Sequence, residues 1–117
     1  MNDYRSVDKL IAEKVFRKIT YWGKNDLAFF LNERGLKQLI PEYSNDMSCA
    51  GLVVEEMRKK GFVFTLTVDL EISKAMFIPV DGNFKQCWSV ERDYTAEAIT
   101  IAALKALGVD INDNKKG

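Results

Sequence analysis

The sequence predicts an α+β fold in which at least two helices pack on one face, or on opposite faces, of a three-stranded antiparallel sheet. Apolar residues recur at helical spacing in three segments, and "FVFTLTVD" from Phe62 to Asp69 places large apolar residues at every second position. With 117 residues and a hydrophobic fraction of 47%, the chain can bury one core. We therefore expect a single domain over residues 1–117, in the order helix, irregular segment or short helix, helix, three strands, helix, with 109–117 as a polar tail.

The first third of the chain combines a clear helix with an ambiguous segment. Between Ser6 and Ile19, apolar residues recur at three- and four-residue steps, which is the period of an amphipathic helix. Residues 20–42 contain two glycines and one proline and keep no clear period. For this segment we predict irregular structure with a short helix over Asp26 to Glu33.

The second helix has start and stop signals. Ser44 can cap it, and Asp46 in its first turn suits the positive end of the helix dipole. Gly61 follows three basic residues and is the predicted C-cap. The predicted buried stripe consists of Met47, Ala50, Val54 and Met57.

Three strands follow the second helix, and we expect them to form adjacent antiparallel hairpins. After the strand at 62–69, the second strand is "AMFIPV" (75–80) and the third is "NFKQCWSVE" (83–91), joined by the turn residues 81–83. Pro79 has no amide hydrogen to donate, which places its strand near a sheet edge or a bulge at that point.

The closing helix, "YTAEAITIAALKALG" from Tyr94 to Gly108, is apolar on more than one side. Thr95 can cap its start, and Gly108 follows its end. Four of its residues can face the sheet: Ile99, Ala102, Ala103 and Ala106. The others, Ile101, Leu104 and Leu107, need a second surface, which is either the first helix or a partner subunit.

Composition excludes several classes of function. The chain has no histidine, which removes serine-histidine and cysteine-histidine hydrolase sites and the commonest zinc ligand. Seventeen basic residues balance seventeen acidic ones, so we expect no nucleic-acid polymer as a partner. No apolar run is long enough for a membrane span, and Cys49 and Cys87 lie far apart. We expect a cytoplasmic protein with reduced thiols, no metal and no cofactor.

Two groups of side chains remain as candidates for chemistry. Carboxylates could pair across a hairpin, Asp69 with Glu71 or Asp81 with Glu91, but such residues are more typical of solvated turns. Aromatic rings beside cations can stack a base and neutralise a phosphate. The predicted ligand-binding residues are Tyr21, Trp22, Phe77, Lys85, Trp88 and Arg92. The alternative is that the strand aromatics are core residues.

Two motifs resemble the phage ABA sandwich domain family. The run "YSNDMSCAGLVVEEMRKKGFVFTLTVD" from Tyr43 and the later "TAEAITIAALKALG" have a tyrosine-serine opening to one helix and a "TA-EAI-AAL-AL" closing helix. The matching residues are Tyr43, Ser44, Met57, Gly61, Thr95, Ala96, Glu97, Ala98, Ile99, Ala102, Ala103 and Leu104. The resemblance covers Tyr43 to Gly108 and, more loosely, the first helix, together about two thirds of the chain. The chain lacks the proline that the family often has in the first turn of the closing helix.

The resemblance implies an α-β-α sandwich, with helix layers around the sheet, and a phage accessory role without a catalytic motif. Our leading hypothesis is a non-catalytic, homo-oligomeric protein of the bacterial host cytoplasm that sequesters a nucleotide-derived immune signal. A second hypothesis is a protein that binds and inhibits a host defence enzyme directly. A third, weaker hypothesis is a carboxylate-dependent phosphodiesterase.

Overall fold

A computed structural model describes residues 4–23, 27–70, 72–80, 88–92 and 94–109. The helices are α1 (Tyr4–Leu10), α2 (Met47–Lys59) and α3 (Thr95–Ala106), and a π-helical turn (Ile11–Val15) continues α1. The strands are β1 (Thr20–Trp22), β2 (Ala28–Leu31), β3 (Lys37–Leu39), β4 (Phe62–Val68), β5 (Ser73–Pro79) and β6 (Trp88–Arg92). The α+β class is confirmed, but the strands form two sheets instead of the single predicted one.

The first helix is shorter than predicted and ends in a widened turn. The amide of Phe16 bonds to the carbonyl oxygen of Ile11 at 3.2 Å, and the amide of Lys18 bonds to that of Ala12 at 2.9 Å. Arg17 then has a φ of 58°, a left-handed conformation that a helix cannot continue. The helical period therefore extends further in the sequence than in the structure, and Ile19 lies outside the helix.

The first sheet corrects the prediction of a short helix over Asp26 to Glu33. There β2 pairs antiparallel with β1 on one side and β3 on the other. The hairpin between β2 and β3 is built by Asn32, whose Oδ1 accepts the amides of Arg34 at 2.9 Å and Leu36 at 3.1 Å. Gly35 supplies a φ of 78°. Asparagine and glycine at these positions are turn signals that override a short helical pattern.

The start of α2 also differs from the prediction. Asp46 is the N-cap, because its Oδ1 accepts the amides of Ser48 at 2.8 Å and Cys49 at 3.4 Å. Ser44 is buried two residues earlier and does not cap the helix. Met47 is exposed, and the buried stripe is Ala50, Val53 and Met57. Gly61 follows the helix with a φ of 98°, as its predicted C-cap role requires.

The second sheet contains the three predicted strands in the order β4, β5, β6, all antiparallel. The predicted third strand is described from Trp88 onward, and 81–87 lie outside the described residues. The edge position predicted from Pro79 is wrong, since β5 is the central strand. Pro79 is the last residue of that strand, opposite Phe62. At the end of the strand, its missing amide hydrogen does not break the hydrogen bonds in the middle of the sheet.

Helix α3 is buried on all sides within one chain. Nine consecutive residues, Ala96 to Leu104, are buried. The helix packs against β5 and β6, against α2, and against α1 with the π-helical turn. Ile101 and Leu104 are therefore buried by elements of the same chain, and they do not need a partner subunit to cover them. Thr95 is not a side-chain cap: its hydroxyl lies 2.5 Å from that of Ser73 and joins α3 to β5.

Candidate functional site

Trp22 ends β1 and presents an aromatic ring beside a cation. Its side chain is 48% exposed, and Lys9 Nζ of α1 lies 5.7 Å from the ring centroid. The register pairs Trp22 with Ala28 and Thr20 with Phe30, so these side chains share one face of the first sheet, which we call the inner face. Ala28 and Phe30 are each 7% exposed. Trp22 is thus an exposed aromatic ring beside two buried residues, on a face where Thr20 is partly buried and Gln38 of β3, opposite Phe30, is exposed.

Lys9 is held in place by an acidic partner. Its Nζ donates to Glu13 Oε2 at 2.7 Å, and the Thr20 hydroxyl donates to the same oxygen. These two hydrogen bonds, from Lys9 first and Thr20 second, lower the pKa of Glu13 below its usual value. The carboxylate offsets much of the charge of Lys9, but the ammonium group still has donors beyond the one that Glu13 uses. The arrangement can therefore support stacking together with a hydrogen bond to an anionic group.

Tyr21 and Trp22 do not lie on the same face of the first sheet. Successive residues of a strand project to opposite faces, and Tyr21 pairs with Phe29, which pairs with Leu39. Tyr21 is 43% exposed on this second, outer face. A ligand stacked on Trp22 therefore does not reach Tyr21 of the same protomer across the sheet.

Three of the other predicted ligand residues, Phe77, Trp88 and Arg92, belong to the second sheet. Phe77 of β5 is fully buried, with its ring centroid 4.9 Å from that of Phe64 and 6.4 Å from that of Phe62. In the register, Trp88 lies opposite Phe77, and Arg92 lies opposite Ser73. Lys85 is outside the described residues. The described members of the predicted set are thus divided between two sheets, and Phe77 is a core side chain.

A cleft of about 300 Å³ opens between the first sheet and the turn before α2. Its apolar side is formed by Leu27, Ala28, Leu39 and Ile40, and its polar side by Asp8, Glu42 and Asn45. A second opening on the same turn is lined by Asp46 as well. Carboxylates without a lining cation repel phosphate groups, so this cleft is unsuited to an anionic nucleotide.

The turn beside the cleft is tightly packed. Tyr43 is buried and its ring stacks on that of Phe16, with 5.2 Å between centroids. Burial, with smaller contributions from Cys49 and Asp8, raises the pKa of Tyr43 to about 12. The Oγ of Ser44 is buried and has no hydrogen-bond partner among the described residues. Burial, followed by the charge of Asp46, also raises the pKa of Cys49, which makes its thiol a poor nucleophile at neutral pH.

The described carboxylates do not gather into a metal centre. No group of three or more potential ligands occurs within the ranges that the structure describes. Asp69 stabilises a turn, because its Oδ1 accepts the amide of Ile72 at 2.8 Å. Its proposed partner Glu71 lies outside the described residues, as do Asp81 and Asp93.

Among the described helices, none has the length and apolar character needed to cross a membrane.

Sequence reasoning missed the outer face of the first sheet. That face includes Phe29, Leu31 and Leu39, which the helix prediction or the absence of a period left unassigned. A usable signal was present in "NERG" (32–35), because an asparagine followed by a glycine between two apolar runs is typical of a hairpin.

The comparisons with known proteins concern the fold and the family. A crystal structure described as a phage protein from Bacillus cereus ATCC 14579 is similar, with a TM-score of 0.74 and 23% identity over 96% of this chain and 94% of that one. No curated protein matches the chain significantly. The sequence model of the phage ABA sandwich domain matches residues 9–104, which is most of the chain. The protein therefore belongs to the phage ABA sandwich domain family.

Proposed function

We propose that this phage accessory protein is non-catalytic and sequesters a nucleotide-derived bacterial immune signal in the cytoplasm of the host cell. The observation that carries the proposal is the position of Trp22, half exposed beside Lys9 while Ala28 and Phe30 on the same face are buried. A protein gains nothing in stability from leaving half of an indole in water, so the exposed ring is available for a planar ligand.

The chemistry of the Trp22 position suits a nucleotide. A purine can stack on the exposed part of the indole, a contact that contributes about 1–3 kcal/mol per base. Lys9 lies on the same ring at 5.7 Å and can donate to a ribose or phosphate oxygen. Because Glu13 already accepts from Lys9 at 2.7 Å, the site supplies less than one full positive charge. A ligand with few phosphates is therefore favoured over a polymer.

The other predicted ligand residues differ in what they can contribute to binding. Tyr21 points to the outer face and can contribute only from another protomer or to another part of a long ligand. Phe77 supports the core and needs no ligand. Trp88 and Arg92 of β6 stay as proposed ligand residues, and so does Lys85, which lies outside the described residues.

Calorimetric titration tests the proposal with two probes, cyclic ADP-ribose and cyclic di-AMP. We expect one of them to bind and Trp22→Ala to weaken that binding by about 1–3 kcal/mol, while Trp22→Phe keeps most of it. Leu52→Ala is the matched control, because Leu52 is similarly exposed (54%) but lies on α2, outside the first sheet. Binding that is unchanged in Trp22→Ala would remove the indole from the site.

The second candidate function is direct inhibition of a host defence enzyme through a protein contact. It is favoured by one observation, the apolar outer face of the first sheet, where Leu31 is 42% and Leu39 is 54% exposed. The two candidates predict different stoichiometries and different sensitive residues. Loss of inhibition by outer-face variants, with Trp22→Ala silent, would favour the protein contact.

A further inference from the structure

We infer that the free edge of β4 pairs with the same edge of a second copy of this chain, which joins the two second sheets into one. Among the described strands, β4 pairs with β5 alone and forms the edge of its sheet. Its seven residues pair without a bulge, from Phe62 opposite Pro79 to Val68 opposite Ser73. Proteins usually protect such an edge with lysine, proline, a bulge or a covering element. β4 contains no charged residue and no proline.

Every second residue of β4 turns its backbone groups away from β5. The amide of Val80 bonds to the carbonyl oxygen of Gly61 at 2.8 Å, and the amide of Asp69 bonds to that of Ile72 at 3.0 Å. Gly61 and Asp69 flank β4, and the direction of the backbone groups alternates along an antiparallel strand. The residues that point to the free edge are therefore Phe62, Phe64, Leu66 and Val68. Within the described part of the chain, no hydrogen bond occupies their outward amide and carbonyl groups.

The second half of β4 is open to water. All residues from Thr65 to Leu70 are exposed, and Leu66 and Val68 are 37% and 59% exposed although they share a face with Phe64, which packs on the core. Helix α3 packs on β5 and β6. A strand added at the edge of β4 would bring new side chains next to Leu66 and Val68, which the chain itself leaves uncovered.

The sequence of β4 is self-complementary about Thr65, which favours a second copy over an unrelated strand. In a two-fold antiparallel pair centred on Thr65, every outward-pointing residue meets another, so each free amide has a free carbonyl to donate to. Phe64 then lies opposite Leu66 of the second copy, and Phe62 lies opposite Val68. Aromatic residues paired with aliphatic or β-branched ones, and threonine paired with threonine, are favourable cross-strand pairs.

The charges at the two ends of β4 also match in this register. Gly61 lies opposite Asp69 of the second copy, so Lys60 of each copy is next to a carboxylate of the other. The two-fold axis repeats this contact at the other end of the pair. Between these ends the strand is uncharged, so no like charges meet across the contact. A second copy thus satisfies the hydrogen bonds, the side-chain pairs and the terminal charges together.

The inference goes beyond the ligand proposal and is separable from it. Trp22 belongs to the first sheet and β4 to the second. Loss of nucleotide binding in Trp22→Ala therefore leaves the dimer intact, and failure of the dimer leaves the Trp22 position unchanged. Because each copy contributes one strand, the contact is smaller than that of a stable complex, and the dimer is reversible.

Sedimentation equilibrium of the full chain tests the dimer between about 1 and 200 μM. We expect the mass to rise from 13.4 kDa toward twice that value with concentration. Thr65→Glu places two carboxylates opposite each other at the two-fold axis and should weaken dimerisation about tenfold or more. An equimolar mixture of Thr65→Glu and Thr65→Lys should dimerise again. Thr67→Glu, on the same exposed face but opposite Val63 of the second copy, should behave as the wild type.

Disulfide cross-linking tests the register. The background is the double variant Cys49→Ala, Cys87→Ala, which removes the chain's own thiols. Opposed Thr65 residues form a non-hydrogen-bonded pair with Cα atoms about 4.5 Å apart, a separation that a disulfide can span. Thr65→Cys should therefore give a covalent dimer on oxidation. Thr67→Cys is the matched control, because its two copies lie about 13 Å apart along the strands and should not cross-link.

The variants are first compared by circular dichroism, so that a folding defect is recognised. If Thr65→Glu fails to fold, the two cysteine variants decide. A wild-type mass that stays at 13.4 kDa up to the highest concentration overturns the inference, including the case in which only a strand of a host protein binds this edge. A dimer that folded Thr65→Glu retains, or cross-linking of Thr67→Cys as fast as that of Thr65→Cys, overturns it as well.

Discussion

The carboxylate of Asp8 accepts a 2.8 Å hydrogen bond from the backbone amide of Ser44. This contact joins α1 to the turn before α2 across 36 residues of sequence, and both residues are buried. It fixes the segment that carries Tyr43 against the first helix. A buried amide without an acceptor is costly, so this side chain has a structural role that sequence reasoning did not assign.

The first prediction follows from this hydrogen bond. Asp8→Ala leaves the Ser44 amide without its acceptor in a buried position, and should lower the free energy of unfolding by about 1–3 kcal/mol. Urea denaturation followed by circular dichroism measures the change. Asp46→Ala is the comparison, since it removes an exposed helix cap and should cost about 1 kcal/mol. A smaller effect at Asp8 than at Asp46 would contradict the argument.

The second prediction concerns stability at high pH. Burial raises the pKa of Tyr43 from 10.0 to about 12, so the folded state retains a proton that the unfolded state loses. The stabilising contribution is therefore complete below pH 10 and is lost as the pH rises through about 12. Denaturant midpoints of the wild type should fall over this window. Tyr43→Phe should flatten the fall, because the variant has no phenol to ionise.

Absorbance at the phenolate band gives an independent check on Tyr43. The chain has four tyrosines, and Tyr43 should ionise late, near pH 12, in the folded protein. The late step should be missing from the Tyr43→Phe variant. If the variant instead lost its phenolate absorbance near pH 10, Tyr43 would lie in water and not against Phe16.

The third prediction corrects the expected role of Leu104. From sequence, this residue was a candidate for a subunit interface, where Leu104→Glu would dissociate an oligomer. In the structure it is fully buried inside one chain. Leu104→Ala should therefore destabilise the fold by about 2–5 kcal/mol, without a selective change in association. Leu52→Ala on exposed α2 should stay within about 0.5 kcal/mol of the wild type in the same denaturation experiment.

The elements with strong local signals were predictable from the sequence. Helix α2 ends at a glycine that follows basic residues, and β4 places large apolar residues at every second position. Both patterns depend on neighbouring residues only. The capping of α2 was misassigned to Ser44 because two suitable residues precede the helix. In the structure, Asp46 is the one that accepts the amides of Ser48 and Cys49, while the amide of Ser44 bonds to Asp8, which is distant in sequence.

The first sheet could not be predicted for a different reason. Its strands have three, four and three residues, too few to show a period of two. Their pairing also depends on the hairpin turn of residues 32–36, and the predicted helix covered β2 and the first two residues of that turn. The candidate site shared this difficulty: the sequence identifies Trp22 as aromatic, but its exposure and the approach of Lys9 depend on how the sheet packs on α1.

The last prediction decides between sequestration and catalysis. A sequestering protein releases its ligand unchanged, whereas a phosphodiesterase returns a cleaved product. Cyclic ADP-ribose or cyclic di-AMP, incubated with excess protein and freed by heating, should elute intact in chromatography with or without magnesium. The chain has no histidine, and no unperturbed side chain titrates near neutrality, so the affinity for the ligand should also be nearly constant between about pH 6 and 8.

An enzyme using Asp69, Asp81, Glu91 or Asp93 would instead cleave the ligand, and would give product faster with a divalent cation. Asp69 already accepts the amide of Ile72, so Asp69→Asn should change the free energy of unfolding more than the fraction of ligand recovered intact. Cleaved product that disappears in one of these carboxylate variants would replace sequestration with catalysis.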